Sequence, residues 1–233
     1  MATKPTSRAQ ARIDMNREIM RVGREQLAEV GAAALSLRAV ARELGIVSSA
    51  IYRYVASRDE LLTRLIDDAY NSLGDAVEAD TAATADERAE ARWVSAALTI
   101  RSWALDHPHE YSLLYGSPVP GYAAPEQTAV SGTRATRALV AIVADARRNR
   151  QLATRRSAPI DVGADLAADF ATLRSAVDLD VDDTVVLDVL IAWSQLFGLV
   201  SFELFNQTRG VVTHHEALFE TAARRLAGVI GLS

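Results

Sequence analysis

The sequence predicts an all-α protein. Its 233 residues are 49% hydrophobic and 24% charged, the composition of a globular chain long enough to bury a sizeable core. Alanine and leucine are abundant, apolar residues recur at helical spacing, and the sequence has no long alternating Val/Ile/Thr runs between hairpin turns. The simplest division is a small amino-terminal helical module followed by one larger helical domain.

Composition and charge restrict what the chain can do. The sequence has no cysteine, which excludes disulfides and thiolate metal sites. Residues 1–9 are polar, without the apolar core of a signal peptide, so we expect a disordered arm and a cytoplasmic protein. Residues 1–65 hold eleven Lys/Arg and seven Asp/Glu, whereas the remainder holds 14 and 23. Only the first quarter of the chain is therefore suited to a polyanionic partner.

Three helices are predicted in the amino-terminal module. The first spans about residues 10–30 and ends at Gly31, because glycine is the usual residue just beyond a helix C-terminus. Ser36 is placed to cap a short second helix that ends near Gly45. The third helix begins near Ser48.

A longer helix follows this module. Ser57 is placed to cap it, with Glu60 at the third helical position in the capping-box arrangement, and the helix extends to about Ala79. A further helix reaches Leu105, and a short helical segment closes at Gly116. The stretch SPVPGYAAPEQ has three prolines in eleven residues and cannot be regular helix. More helices are predicted at about residues 126–149, 160–176, 183–206 and 214–230.

The second and third helices have the spacing of a helix-turn-helix. One apolar face of the second helix is formed by Leu37, Val40, Ala41 and Leu44. Ile51 and Val55 continue that face in the third helix. Only about three residues join the two helices, so they must cross steeply, and Gly45 can take the positive φ that such a turn needs. A small residue, a glycine four positions later and an aliphatic residue six further on predict a helix-turn-helix.

Polar and aromatic side chains then fall where a helix-turn-helix meets DNA. At or near the start of the third, recognition helix are Ser48, Ser49, Ala50, Tyr52, Arg53 and Tyr54. Helix starts at Ser36, Arg38 and Arg58 are placed to hold phosphate oxygens. Arg42 and Arg64 are interpreted as ordinary solvated charges. The alternative is a plain pair of crossing helices whose arginines are all solvated.

Residues 35–65 resemble the amino-terminal domain of TetR-family transcriptional regulators in the motifs LG, IYRYV and SRDELL. Two positions depart from the family pattern: Val47 replaces the usual serine before the recognition helix, and Val55 replaces the usual phenylalanine. The resemblance implies base contacts by Ser48, Ser49 and Ala50. It implies DNA-backbone contacts by Tyr52 and Tyr54. Arg58 stands where the family has a lysine.

The sequence also calls for a self-association surface, since one such module reads only a few base pairs and gains specificity by dimerising. Residues 183–205 are apolar almost all round, and 214–231 carry a second apolar stripe. In TetR-like proteins the last two helices form a four-helix bundle with their twofold mates. The predicted interface is Trp193, Phe197, Gly198, Ser201, Phe202, Phe219 and Leu226. The alternative is that the first of these helices is only the centre of its own domain.

Aromatic residues and histidines are concentrated before the proline-rich loop and within it. Over about residues 95–205 the chain resembles a carboxy-terminal subtype of the same family marked by tryptophan, histidine and glycine. Aromatics with a few polar groups suit a small-molecule pocket, and the candidate lining is Trp103, His107, His109, Tyr111, Tyr115 and Tyr122. The alternative is that these aromatics fill a core.

No enzyme, metal site or cofactor is predicted. The histidine pairs at 107/109 and 214/215 lack the i, i+4 spacing of helical metal ligands. The acidic string at 178–183 lacks the glycine and the bidentate glutamate of a calcium loop. No GxSxG motif or glycine-rich phosphate loop is present.

Together these observations predict a TetR-like regulator with a DNA-binding domain at 1–57 and a ligand-binding and dimerisation domain at 58–233. Its expected partners are a palindromic DNA operator, a second copy of itself and a small-molecule effector that releases it as a repressor, with no membrane. The alternative function is a helical small-molecule-binding or scaffolding protein whose DNA module is degenerate.

Overall fold

Helices make up the regular structure. The computed structural model describes residues 7–126, 128–153 and 160–233. Over these ranges it contains no β-strand, and an isolated antiparallel bridge joins Leu152 and Leu232. The helices there are α1 (Ser7–Ala34), α2 (Leu37–Glu43), α3 (Ser48–Ile51), α4 (Arg58–Ala83), α5 (Ala89–Asp106), α6 (Pro108–Tyr115), α7 (Thr128–Gly132), α8 (Arg134–Arg148), α9 (Ala164–Val177), α10 (Asp183–Leu204) and α11 (His215–Ile230). The all-α prediction is confirmed.

The chain forms two compact units. The first comprises the described residues up to Tyr70 together with His107–Gly132, and the second comprises Asn71–Asp106 and the described residues from Thr133 onward. Helix α4 contributes residues to both. The predicted domains, 1–57 and 58–233, divide the chain by function, and that division stays a prediction.

A hydrophobic core in the first unit holds α1, α2, α3 and the start of α4 together. Its fully buried members include Ile19, Val22, Val40, Ala41, Ile51, Val55, Leu61 and Leu62. Helix α1 bends at Gly31, whose φ of 74° is unfavourable for residues with a Cβ. The helix predicted to end there therefore kinks and continues to Ala34.

Polar groups fix the start of α4. The Ser57 hydroxyl accepts a hydrogen bond from the Glu60 backbone N–H at 3.0 Å, as the capping box predicts. The Glu60 carboxylate accepts from the N–H of Ala56 at 2.6 Å rather than from Ser57. That bond, followed by the Arg64 guanidinium, lowers the pKa of Glu60 against the opposing effect of burial. From this start α4 continues to Ala83, about one turn beyond the predicted end.

In the second unit, α5 packs against α8, α10 and α11. Arg101 on α5 makes a two-pronged ion pair with Glu203 on α10, with N–O distances of 2.8 and 2.7 Å, and both side chains are largely buried. Arg134 at the start of α8 bonds to Asp75 and Glu78 on α4. Helices α4 and α8 approach closely there, since a Cβ built on Gly74 would lie 2.8 Å from the Cβ of Arg134.

Some element boundaries differ from the sequence prediction. The helix predicted at 126–149 is divided at Thr133, next to Gly132, where an added Cβ would lie 3.3 Å from the Tyr70 ring, a tight contact. Helix α9 starts at Ala164, after Gly163 with φ 74°. Residues 7–9, predicted as arm, are helical. The remainder of the arm (1–6), residue 127 and the connector residues 154–159 lie outside the described residues.

Helix α10 is the most apolar element. Among the described helices it is the one long and apolar enough to cross a membrane by length and composition alone. Core helices of soluble proteins pass the same test. Its N-terminus is capped by the Asp182 carboxylate, which accepts a hydrogen bond from the Val185 N–H at 2.9 Å.

Candidate nucleic-acid interface

A tight turn sets the crossing of α2 and α3. Gly45 has a φ of 68°, and its N–H donates to the Arg42 carbonyl at 3.1 Å. The next residue, Ile46, donates to the Ala41 carbonyl at 3.0 Å, which ties the turn back to α2. No heavy atom lies within 4 Å of a Cβ built on Gly45, so the glycine is required by backbone conformation and not by crowding.

Helix α3 is short and anchored at its last residue. Ile51 is fully buried and faces the core of the unit. Val47 occupies the N-cap position with extended backbone angles (φ −65°, ψ 140°), and its carbonyl accepts the Ala50 N–H at 2.8 Å. Bonds from Tyr54 and Val55 to the Ile51 carbonyl, at 2.9 and 3.0 Å, close the next turn. The helix is thus fixed by its buried side while its other side is exposed.

The structure brings the predicted DNA-contacting residues of the recognition segment together on α3 and in the turn that follows it. Ser48, Ser49, Tyr52 and Arg53 are exposed, and Ala50 is half-buried. Tyr54 is also half-buried and packs against the core of the unit. These positions form one short polar surface with a tyrosine at its edge. Whether each contacts DNA stays a prediction.

Three arginines of the helix-turn-helix segment, Arg38, Arg42 and Arg53, are exposed. Over the described residues, no ion pair or side-chain hydrogen bond joins an acidic group to Arg38, Arg42 or Arg53. By contrast, Arg64 donates to the Tyr54 carbonyl at 2.7 Å and pairs with Glu60, so it is a structural residue and not the solvated charge the sequence suggested. Arg42 is exposed and has no acidic partner in the described part of the chain, which agrees with its interpretation as an ordinary solvated charge.

Arg58 is placed differently from the other predicted phosphate contacts. Its guanidinium donates to three carbonyl oxygens at the end of α1 and just beyond it, those of Ala32 (2.8 Å), Ala33 (3.1 Å) and Leu35 (3.2 Å). The side chain is 29% exposed. Arg58 therefore joins α4 to the end of α1, and the same donor groups would be needed for the predicted phosphate contact.

A groove of about 500 Å³ lies beside these residues. Its polar lining consists of Ser36, Arg38, Tyr52, Ser57 and Arg58. Ser36 is the N-cap residue of α2, as predicted, but its side chain makes no capping hydrogen bond. The starts of α2 and α4 thus meet Tyr52 around one open groove, and whether this groove holds a strand of DNA backbone stays a prediction.

The predicted ligand-lining residues fall into both units. Trp103 belongs to the second unit, is 5% exposed, and donates from its indole nitrogen to the Ser72 hydroxyl at 3.0 Å. The other five belong to the first unit. His107 is the half-buried N-cap residue of α6, and His109 is exposed.

The three predicted tyrosines are in contact with other residues. Tyr111 is fully buried, with its ring centroid 5.0 Å from that of Tyr115, and Tyr115 makes an edge contact with Tyr70. Burial raises the pKa of the Tyr115 phenol. The Tyr122 hydroxyl lies 2.9 Å from that of Thr63. An aromatic cluster is present, and its role in ligand binding stays a prediction.

The predicted dimer-interface residues divide by exposure. Phe197, Phe219 and Leu226 are at most 7% exposed and belong to the core of their own chain. Trp193, Gly198 and Ser201 are half-buried, and Phe202 is 55% exposed. Apolar residues that the prediction did not include are exposed on the same helices or, for Phe205, just beyond the end of α10: Ile191, Phe205, Leu218 and Val229. Helical periodicity alone could not separate the two faces of so apolar a helix.

No cluster of three metal-ligating side chains occurs among the residues with described positions. The second histidine pair, His214 and His215, lies at the start of α11 beside a cavity of about 570 Å³ that the Arg101–Glu203 ion pair also lines.

Two short helices joined by a glycine turn, with a buried inner face and unpaired arginines outside, define a helix-turn-helix DNA-binding module. The comparisons with known proteins agree. Residues 19–65 match the family model of bacterial regulatory proteins of the tetR family, and residues 93–226 match that of the tetracyclin repressor-like C-terminal domain. This chain belongs to the TetR family of DNA-binding transcriptional regulators, which are not enzymes.

Full-length relatives support this assignment. The chain is 39% identical over 226 residues to the HTH-type transcriptional regulator Rv1816 of Mycobacterium tuberculosis and to Mb1846 of Mycobacterium bovis, covering 96% of this chain and 95% of each relative. The crystal structure of the regulatory protein SCO4313 aligns with a TM-score of 0.77 and 33% identity, over 97% of this chain and all of that one. The TetR-family regulator PfmR of Thermus thermophilus shares the fold, with a TM-score of 0.55, 18% identity and coverage of 91% and 96%.

Proposed function

We propose that this regulator is a homodimeric repressor that binds a palindromic operator and is released from it by a small-molecule effector. The observation that carries the proposal is the exposed apolar face of α10 and α11 in the second unit. One copy of a helix-turn-helix reads too few base pairs for specificity, so the DNA module requires a second copy. A dimer formed through this apolar face supplies that copy.

Exposed or half-buried apolar residues of α10 and its C-cap share one side of the helix. Ile191, Gly198, Phe202 and the C-cap residue Phe205 are separated by seven, four and three residues, the spacing of a single helical stripe. A Cβ built on Gly198 would meet no atom within 4 Å, so a partner backbone has room to approach. A twofold axis beside this stripe would place each copy against the same surface of the other.

Helix α11 continues the surface. Leu218 and Val229 are exposed, and Gly228 is open in the same way as Gly198. Helices α10 and α11 pack on each other within the chain. Two helices from each copy would therefore form a four-helix interface, and the exposed phenylalanines would be removed from water.

DNA recognition in this proposal uses two copies of α3. Unpaired Arg38 and Arg53 supply the phosphate attraction, the exposed serines face the groove, and Tyr52 contacts the DNA backbone. A symmetric dimer places its recognition helices in successive major grooves about 34 Å apart, so the operator is a palindrome. A regulator that acts on chromosomal DNA in this way works in the cytoplasm.

Effector release is proposed as a population shift. A small molecule that binds better to one dimer form moves the equilibrium away from the form that fits the operator. The aromatic cluster of Tyr70, Tyr111 and Tyr115 and the continuity of α4 from the first unit into the second support this step. A thermal-shift screen of small molecules, repeated on operator-bound protein, identifies the effector as a compound that stabilises the protein and lowers its DNA affinity.

The dimer is tested with a matched pair of variants. Gly198→Leu places a branched side chain on the interface and is expected to give a monomer by light scattering, whereas Gly198→Ala adds one carbon and leaves the dimer intact. Gly198→Ala is expected to fold, because no described heavy atom outside the local helix backbone lies within 4 Å of a Cβ there, and circular dichroism checks that Gly198→Leu is folded. A Gly198→Leu protein that keeps the dimer mass would refute this interface. A wild-type protein that prefers no duplex over any other would refute operator binding.

A further inference from the structure

Val47 has an exposure that the fold does not explain. The other exposed large hydrophobic side chain between residues 35 and 65 is that of Tyr52, at 50%, and Val47 is exposed at 71%. Its aliphatic neighbours in the same segment, such as Ile51 and Val55, are fully buried. An isolated exposed valine is ordinary on most surfaces, but this one adjoins the helix that reads DNA.

The backbone on both sides of Val47 is fixed. The preceding residue, Ile46, donates to the Ala41 carbonyl at 3.0 Å, and the Val47 carbonyl accepts from Ala50 at 2.8 Å. The branched Cβ further limits the side chain to few rotamers. The isopropyl group is therefore held in place at the start of α3 and has little conformational freedom left to lose on binding.

The residue type restricts what Val47 can recognise. Its side chain cannot bond to a phosphate or to the polar edge of a base, and it cannot cap α3, which has no side-chain cap. The apolar group that DNA presents in the major groove is the 5-methyl of thymine. Residues at the start of a recognition helix are those that reach the base edges.

We propose that Val47 contacts the 5-methyl group of a thymine and specifies thymine at one position in each operator half-site. This inference rests on the proposed operator binding through α3. In place of a polar cap that would stabilise the start of α3, the chain carries an apolar group that distinguishes thymine from cytosine and adenine.

The test removes only the methyl group. The full-length protein first selects its preferred duplex from a random library, and each thymine of that duplex is then replaced singly by deoxyuridine. Fluorescence anisotropy should show one position per half-site at which the replacement weakens binding roughly fourfold, the effect of losing one buried methyl group. Replacement at the other thymines should have little effect.

Two variants then connect the effect to Val47. Val47→Ala and Val47→Ser should each bind the thymine and deoxyuridine duplexes equally. Val47→Ser restores a capping hydroxyl, so its melting temperature should not fall, and lost discrimination cannot be assigned to unfolding. Val211→Ser, at an 84% exposed valine outside the helix-turn-helix, is the matched control and should keep the fourfold difference.

Several results would overturn the inference: no thymine specified in the selected duplex, full tolerance of deoxyuridine, or a fourfold difference that persists in Val47→Ala. Sequence-specific binding without methyl dependence would remove the role of Val47 and leave operator binding intact. Failure to select any preferred duplex would remove both.

Discussion

Replacing Arg58 by alanine should lower the stability of the first unit and should have little effect on direct contacts with DNA. The guanidinium joins α4 to three carbonyls at the end of α1 and just after it, at 2.8–3.2 Å. Cations near a helix C-terminus stabilise it, and each buried hydrogen bond to a charged group contributes roughly 1.5–3 kcal/mol. Because the side chain is partly exposed, water can replace some of these bonds. We therefore expect a total loss of about 2 kcal/mol.

Denaturant unfolding and melting of Arg58→Ala measure this loss. For a chain of this length about 2 kcal/mol corresponds to a fall in melting temperature of roughly 4–8 °C. Arg38→Ala is the matched control, because Arg38 is exposed and unpaired and its removal should change stability by less than about 0.5 kcal/mol.

The salt dependence of DNA binding should change in Arg38→Ala and stay nearly unchanged in Arg58→Ala. Each phosphate contact contributes about 0.9 to the slope of log affinity against log salt, so Arg38→Ala should reduce the slope of a dimer by about 2. Folded Arg58→Ala protein should keep nearly the wild-type slope. An Arg58→Ala protein of unchanged stability whose salt slope falls like that of Arg38→Ala would refute the structural role and restore the direct phosphate contact.

Two further predictions concern stability. The lowered pKa of Glu60 means that its ionised form is stabilised by folding, an effect fully present above the ordinary carboxyl value of 4.5 and lost as pH falls through the lower folded value. The stability difference between wild type and Glu60→Gln should therefore shrink from pH 6 to pH 3 in urea titrations; a constant difference would contradict this assignment. Arg101→Met should cost about 3 kcal/mol by leaving the buried Glu203 carboxylate unpaired. Adding Glu203→Leu should recover most of that loss, and no recovery would show that the pairing is not the cause.

The amino-terminal module was largely readable from the sequence because its determinants are local. The apolar spacing of Leu37, Val40 and Ala41 fixes which side of α2 is buried, and Gly45 marks a turn that needs a positive φ. The Ser57 cap also depends on residues only three apart. Such signals act within one or two turns of helix, so they can be read without knowing the tertiary contacts.

Contacts distant in sequence had to come from the tertiary structure. Arg38 and Arg58 look alike in the sequence, yet only Arg58 meets the carbonyls of α1, some 25 residues earlier. Likewise α10 is apolar on every side, and its burial against α5 and α11 decides that Phe197 is core while Phe202 is exposed. The sequence by itself determined the fold class and the position of the helix-turn-helix. Which arginines are unpaired and which apolar face is exposed depended on where distant helices pack, because local periodicity does not specify the partner of a side chain.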